Sequence, residues 1–156
     1  MKNNVTPSDQ VLQQVRAIFA EQIPFNNFLG IKIERFDWEG ASVRIDMRPE
    51  LVGNFLHGIL HGGVIASVLD FQGGLTAFLS LLKRMEDVPD AEKIARLSKF
   101  GTIDLRVDYL RPGKGKSFQA EATVLRTGNR VAVTRMELHN DEAVLIAVGT
   151  GTYVVV

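Results

Sequence analysis

The chain has 156 residues, 46% of them hydrophobic and 23% charged, with Lys plus Arg and Asp plus Glu balanced at 18 each. Such a length and composition describe one ordinary globular domain, residues 1–156, with enough chain to bury a core. The balanced charge lacks the basic excess that nucleic-acid binding calls for. The absence of cysteine excludes disulfides and thiolate chemistry and fits a cytoplasmic setting.

The opening stretch "MKNNVTPSDQ" is polar and has no apolar run of the kind a secretory signal carries. Pro7 and Ser8 predict the cap of a short amphipathic helix through Val11, Leu12, Val15, Ile18 and Phe19. "IPFNNFLG" breaks that pattern. Two strands follow, "IKIERFDW" and "ASVRIDM", the second with Ala41, Val43, Ile45 and Met47 on one face, and Gly40 between them suits a hairpin.

A long helix is predicted from about Gly62 to Met85. It is apolar on almost every side, yet it contains Asp70, Gln72, Gly73 and Gly74 and no basic or aromatic belt frames it. Polar groups inside a bilayer are costly, so this is expected to be the buried central helix of the fold and not a membrane span. The charged segment "EDVPDAEKIARLSKFG" predicts a shorter surface helix after Pro89, closed by Gly101. Four consecutive strands complete the chain: "TIDLRVDYL", "SFQAEATVL", "RVAVTRMELHN" and "EAVLIAVGTGTYVVV". The expected fold is α+β, an antiparallel meander of about six strands wrapped around one long apolar helix, preceded by an N-terminal helix.

Asp70 is the residue that most needs explaining. Val68, Leu69, Phe71 and Leu75 leave its helix no broad polar face. Burying an isolated carboxylate costs several kcal/mol, so such a group is usually paired, metal-bound or catalytic. Gly62 and Gly63 open the same helix, where backbone N–H groups have no intrahelical acceptor and can stabilise an oxyanion. Gly63 and Asp70 share one face but lie about 10 Å apart along the axis. One carbonyl cannot touch both, so the spacing favours a site completed by a second, antiparallel copy of the helix in a symmetric homodimer or dimer of dimers.

Two rivals fail on spacing. His57 and His61 lie ahead of the helix, with Gly58 between them, and Asp70 falls on the side opposite His61, so no metal site is expected. "GKGKS" has Leu110 where a phosphate-binding loop needs glycine, and a strand follows instead of a helix.

"LHGGVIASVLD" and "GTIDLRVDYLRPG" closely resemble the hot-dog acyl-CoA thioesterases of the PaaI type, above all a bacterial YigI-like subgroup acting on medium- and long-chain acyl-CoA. The resemblance runs from "IPFNNFLG" to "TGTYVVV" and implies the hot-dog fold and acyl-CoA hydrolysis with no cofactor beyond the coenzyme A of the substrate. It also implies roles for individual residues. Asp70 is the nucleophile or the general base. Gly62 offers its N–H to the thioester carbonyl, and Gly63 continues the turn. Asn54 helps hold the carbonyl or the water, Thr102 positions the water, and His61 orders the loop. The segment from Lys83 to Lys99 exceeds the compact family pattern.

Coenzyme A carries phosphates, so basic loop residues are expected near the pocket mouth. Arg111, Lys114 and Lys116 in one turn, and Arg126 and Arg130 in another, are available. Phe25, Phe28, Leu29 and Phe55 are expected to line an acyl tunnel. Two alternatives stay open: a hot-dog hydratase or dehydratase, which resembles a different pairing of His with Glu or Asp, and a non-catalytic acyl-CoA binding protein.

Overall fold

The computed structural model describes residues 7–156, so most of the polar N-terminal stretch lies outside the described residues. Helix α1 (Pro7–Glu21) begins at Pro7, which places Ser8 within the helix and not at its cap. The short α2 (Pro24–Leu29) ends at Gly30, whose φ of 74° closes it in the left-handed conformation that glycine tolerates. Strands β1 (Lys32–Asp37) and β2 (Gly40–Asp46) form the expected hairpin. A small ribbon of β3 (Val52–Asn54) and β4 (Ile59–Leu60) leads into α3 (Gly62–Lys83). Helix α4 (Asp90–Ala95) and a 3-10 turn over Arg96–Lys99 precede β5 (Gly101–Tyr109), β6 (Ser117–Thr127), β7 (Val131–Asn140) and β8 (Leu145–Val154).

The main sheet has six strands in the order β1-β2-β6-β7-β8-β5, every neighbouring pair antiparallel. The antiparallel sheet of six strands under one long helix is as expected, but the order is not a simple meander: β5 does not pair with β6, which follows it, and crosses to the far edge beside β8. Gly101 opens that strand and does not close the preceding helix.

Helix α3 lies across the sheet, against β2, β5, β6, β7 and β8. Val68, Leu69, Leu75, Ala77 and Phe78 on it are fully buried, and each large side chain of this kind contributes about 1.5–3 kcal/mol when removed from water. Its apolar surface is therefore spent on the sheet. Gln72, also fully buried, donates from Nε2 to the Ala41 carbonyl at 2.9 Å and pins the helix to β2. The segment between α3 and β5 packs back on the N-terminal helix through α4, and Phe100 meets Phe19 and Phe78 edge-on or nearly so.

Candidate active site

Two separate clusters of polar groups flank α3. The first surrounds Asp70, which is half-buried at mid-helix. Thr102, at the start of β5, donates its hydroxyl to Asp70 Oδ1 at 3.0 Å. Register in β5 slips between Thr102 and Asp104, and this irregularity leaves Ile103 more than half exposed. Tyr153 on β8 donates its phenol to the Asp70 main-chain carbonyl at 3.0 Å. Burial pushes the Asp70 carboxyl above the usual carboxylate range, and hydrogen bonding from Thr102 and Tyr153 opposes the rise. A carboxyl in such a setting has the makings of a proton acceptor.

The second cluster is the N-terminus of α3. His61 caps it, with Nδ1 accepting the Gly63 N–H at 2.9 Å and its carbonyl accepting from Val64 and Ile65. The Gly63 N–H is thus engaged within the chain. The Gly62 N–H has no acceptor among the described residues. Tyr109, at the end of β5, donates its hydroxyl to the Gly62 carbonyl at 2.9 Å and so holds this turn in place. A groove of about 390 Å³ runs past Gly62, lined by Ile59, Ile65, Tyr109, Leu110 and Arg111 among others. Asn54 lies close by in sequence and fold, since a Cβ on Gly53 would stand 2.7 Å from His61 Cα. The Asn54 side-chain oxygen accepts the Leu56 N–H at 3.1 Å, which leaves its amide NH₂ directed by a fixed turn.

Strand β5 therefore touches both clusters, Tyr109 at one end and Thr102 at the other. Along the helix Gly62 and Asp70 are eight residues apart, an axial distance of about 12 Å. A thioester carbonyl spans little more than an ångström. Within one chain the two clusters do not meet.

The basic residues divide as well. Arg111 lines the Gly62 groove and donates to the Leu145 carbonyl at 3.0 Å. Lys114 follows in the same turn, where Asn140 donates to its main-chain carbonyl. Arg126 and Arg130 lie at the opposite end of β6, about 30 Å away at the rise of an extended strand. They cannot share one pocket mouth with Arg111 and Lys114 in a single chain. The expected acyl tunnel does not form within one chain either. Leu29 faces the core at 4% exposure, while Phe25, Phe28 and Phe55 are 54%, 67% and 83% exposed. Apolar character marked these residues, but it does not say which side of α2 or of a loop faces inward.

Tyr153 and Tyr109 were missed in the sequence. Tyr153 sits in "GTGTYVVV", which reads as a plain strand. The available signal was the period-two series Gly149, Gly151, Tyr153, small residues on the same face as one large one.

With this geometry in hand, similarity to known proteins is informative. Residues 57–147 match the Thioesterase superfamily. The chain is 49% identical over 151 residues to the medium/long-chain acyl-CoA thioesterase YigI of Escherichia coli (strain K12), covering 97% of each. A crystal structure from Shewanella oneidensis, of a protein related to the thioesterase superfamily, superposes with a TM-score of 0.93 at 52% identity, covering 96% of this chain and 97% of that one. The Escherichia coli PaaI structure shares the fold, with a TM-score of 0.72 at 21% identity over 97% of this chain and 96% of that one. The chain belongs to the thioesterase superfamily, a family of thioester hydrolases with the hot-dog fold.

Proposed function

We propose that the protein hydrolyses medium- to long-chain acyl-CoA thioesters at a site shared between two subunits, with Asp70 of one chain acting on a carbonyl held by the Gly62 N–H of the other. The substrate class is supported by the similarity to YigI, whose name records medium- and long-chain acyl-CoA. The shared site is supported above all by one observation: the proton acceptor and the free N–H donor lie on one rigid helix, too far apart to serve one carbonyl.

Asp70 acts as general base in this reading. Its raised pKa makes it a better proton acceptor than an exposed carboxylate. The Thr102 hydroxyl occupies Oδ1 and leaves Oδ2 for a water molecule. Asp70 takes a proton from that water as its oxygen bonds to the thioester carbon. The carbonyl oxygen becomes an oxyanion facing the Gly62 N–H at the positive end of the helix dipole, with the Asn54 amide beside it. The intermediate collapses by breaking the C–S bond. A thiolate leaves readily near neutral pH, since a thiol has a pKa of about 8.5. The acid departs with the water oxygen, and the thiolate recovers a proton from Asp70 or solvent. A base, a water molecule and an oxyanion donor suffice for this sequence of steps, without a cofactor.

A homodimer follows from the same geometry. β5 is the last strand of the sheet and leaves one side unpaired, a liability that a second copy of β5 would relieve. Ile103, Tyr109 and Leu110 on and beside it are each about half exposed. Apolar groups gathered at an open edge mark an association surface. With two α3 helices antiparallel across that edge, the Gly62 groove of each faces Asp70 of the other, and Phe25, Phe28 and Phe55 gain a surface to cover the acyl chain. Free-thiol release from a panel of acyl-CoA chain lengths, run beside hydration of an enoyl-CoA, tests the activity. Hydration without thiol release would favour the hydratase reading.

A further inference from the structure

We propose that Tyr153 is a positioning residue for Asp70, its buried phenol anchoring the helical turn that presents the carboxylate. This rests on the assignment of Asp70 as the base. Tyr153 is fully buried and reaches no substrate. Its hydroxyl donates to the Asp70 carbonyl at 3.0 Å, so it ties β8 to the residue that carries the carboxyl.

The surroundings are built around that hydroxyl. A Cβ on Gly73 would stand 2.3 Å from the Tyr153 oxygen, and one on Gly151 would stand 2.4 Å from it. A Cβ on Gly74 would meet the ring at 3.4 Å, an ordinary contact, so the close approach falls on Gly73 and Gly151. Glycine in a helix interior, as at Gly73, costs about 1 kcal/mol relative to alanine, and glycine also weakens a strand, as at Gly151. An apolar side chain with alanines facing it would fill the same volume without that cost. The glycines are explained if the phenol must approach the helix closely at the turn beginning with Asp70.

The ring is held from its other face by Phe100, parallel to it within 1° at a centroid distance of 6.0 Å. Phe100 lies just ahead of Thr102, so one stack fixes both groups that touch Asp70. The Thr102 hydroxyl from β5 reaches the Asp70 carboxyl itself, while the Tyr153 phenol from β8 bonds the main-chain carbonyl of the same residue, and both lower the carboxyl pKa against burial. Burial, with the Asp70 charge, raises the phenol above its ordinary value. Tyr153 is therefore a neutral donor near neutral pH.

The test is Tyr153→Phe, assayed by thiol release from acyl-CoA across pH, beside Asp70→Asn. Loss of the donor that holds the Asp70 turn predicts a kcat lower by roughly tenfold to a hundredfold with KM unchanged. The acid limb of the kcat profile should move to higher pH, because the phenol that lowers the Asp70 pKa is gone. Tyr153→Phe should add no further loss in an Asp70→Asn background. If Asp70→Asn is inactive while Tyr153→Phe keeps the wild-type kcat and acid limb, the positioning role is overturned and the Asp70 assignment stands. An active Asp70→Asn overturns the assignment itself. Should Tyr153→Phe not fold, 3-fluorotyrosine in place of Tyr153 keeps the hydroxyl and strengthens it as a donor. The acid limb should then move to lower pH, and an unmoved limb overturns the proposal.

Discussion

The hydroxyl of Thr102 stands 3.0 Å from Asp70 Oδ1, joining the edge strand of the sheet to the middle of its central helix. Through this contact the strand that would meet a second subunit also orients the carboxylate. Thr102→Val should move the acid limb of kcat to higher pH, since a donor that lowers the Asp70 pKa is gone. A pH–rate profile checks it, and an unmoved limb would show that the hydroxyl does not act on the catalytic form of Asp70.

Asp70→Asn keeps the side-chain volume and removes the base, so thiol release should fall by about 10²–10⁴-fold. The same variant should unfold at an equal or higher temperature. Burial raises the folded-state pKa of Asp70 above its unfolded value, so its favourable contribution exists below the unfolded pKa and is lost as pH rises through the folded one. At neutral pH the ionised group is a stability cost that the amide lacks. The gap in melting temperature between variant and wild type should narrow as pH falls through the folded pKa. A variant that melts below the wild type at neutral pH would contradict the role of burial.

Arg111 lines the Gly62 groove and Lys114 is exposed one residue beyond the last lining residue, Gly113; in the proposed function the phosphates of coenzyme A lie at this turn. Arg111→Ala and Lys114→Ala should raise KM for acyl-CoA with kcat nearly unchanged, more so at low salt. With an acyl-pantetheine substrate, which lacks the nucleotide phosphates, the same variants should match the wild type. A penalty of equal size on both substrates would place these residues elsewhere than at the phosphates.

Much of this was legible in the chain itself. The glycine pair and apolar periodicity located α3 almost to the residue, and Asp70 stood out because no polar face accompanied it. Alternation marked β5 as a strand but says only which residues share a face, not which strand is the neighbour. Its crossing to β8 depends on contacts remote in sequence. The exposure of Phe25 and Phe55 was hidden for a related reason: an apolar residue left on the surface looks, in sequence, like one bound for the core. Tyr153 was silent because its meaning lies in two glycines, Gly73 and Gly151, from two elements that only the fold brings together.

Gly62→Pro isolates the oxyanion donor. Proline is well tolerated at the first helical position, where its missing N–H breaks no intrahelical bond. His61, just before it, already has the extended backbone that proline demands. A Cβ at Gly62 meets Tyr109 no closer than 3.4 Å, an ordinary contact. The variant should fold, by circular dichroism and melting temperature, and yet lose kcat by about 10²–10³-fold. Wild-type turnover in a folded Gly62→Pro protein would remove this N–H from the mechanism.

The shared site is tested most directly by mixing two inactive proteins. Gly62→Pro and Asp70→Asn subunits, combined in equal amounts and exchanged, give heterodimers in which one site carries both lesions and the other carries neither. Random exchange makes about half of the dimers heterodimers, each with one intact site of two, by the symmetry of the interface. Roughly a quarter of wild-type thiol release should therefore return. If native mass spectrometry confirms the heterodimers and activity stays at zero, Asp70 and Gly62 act within one chain and the shared site is wrong.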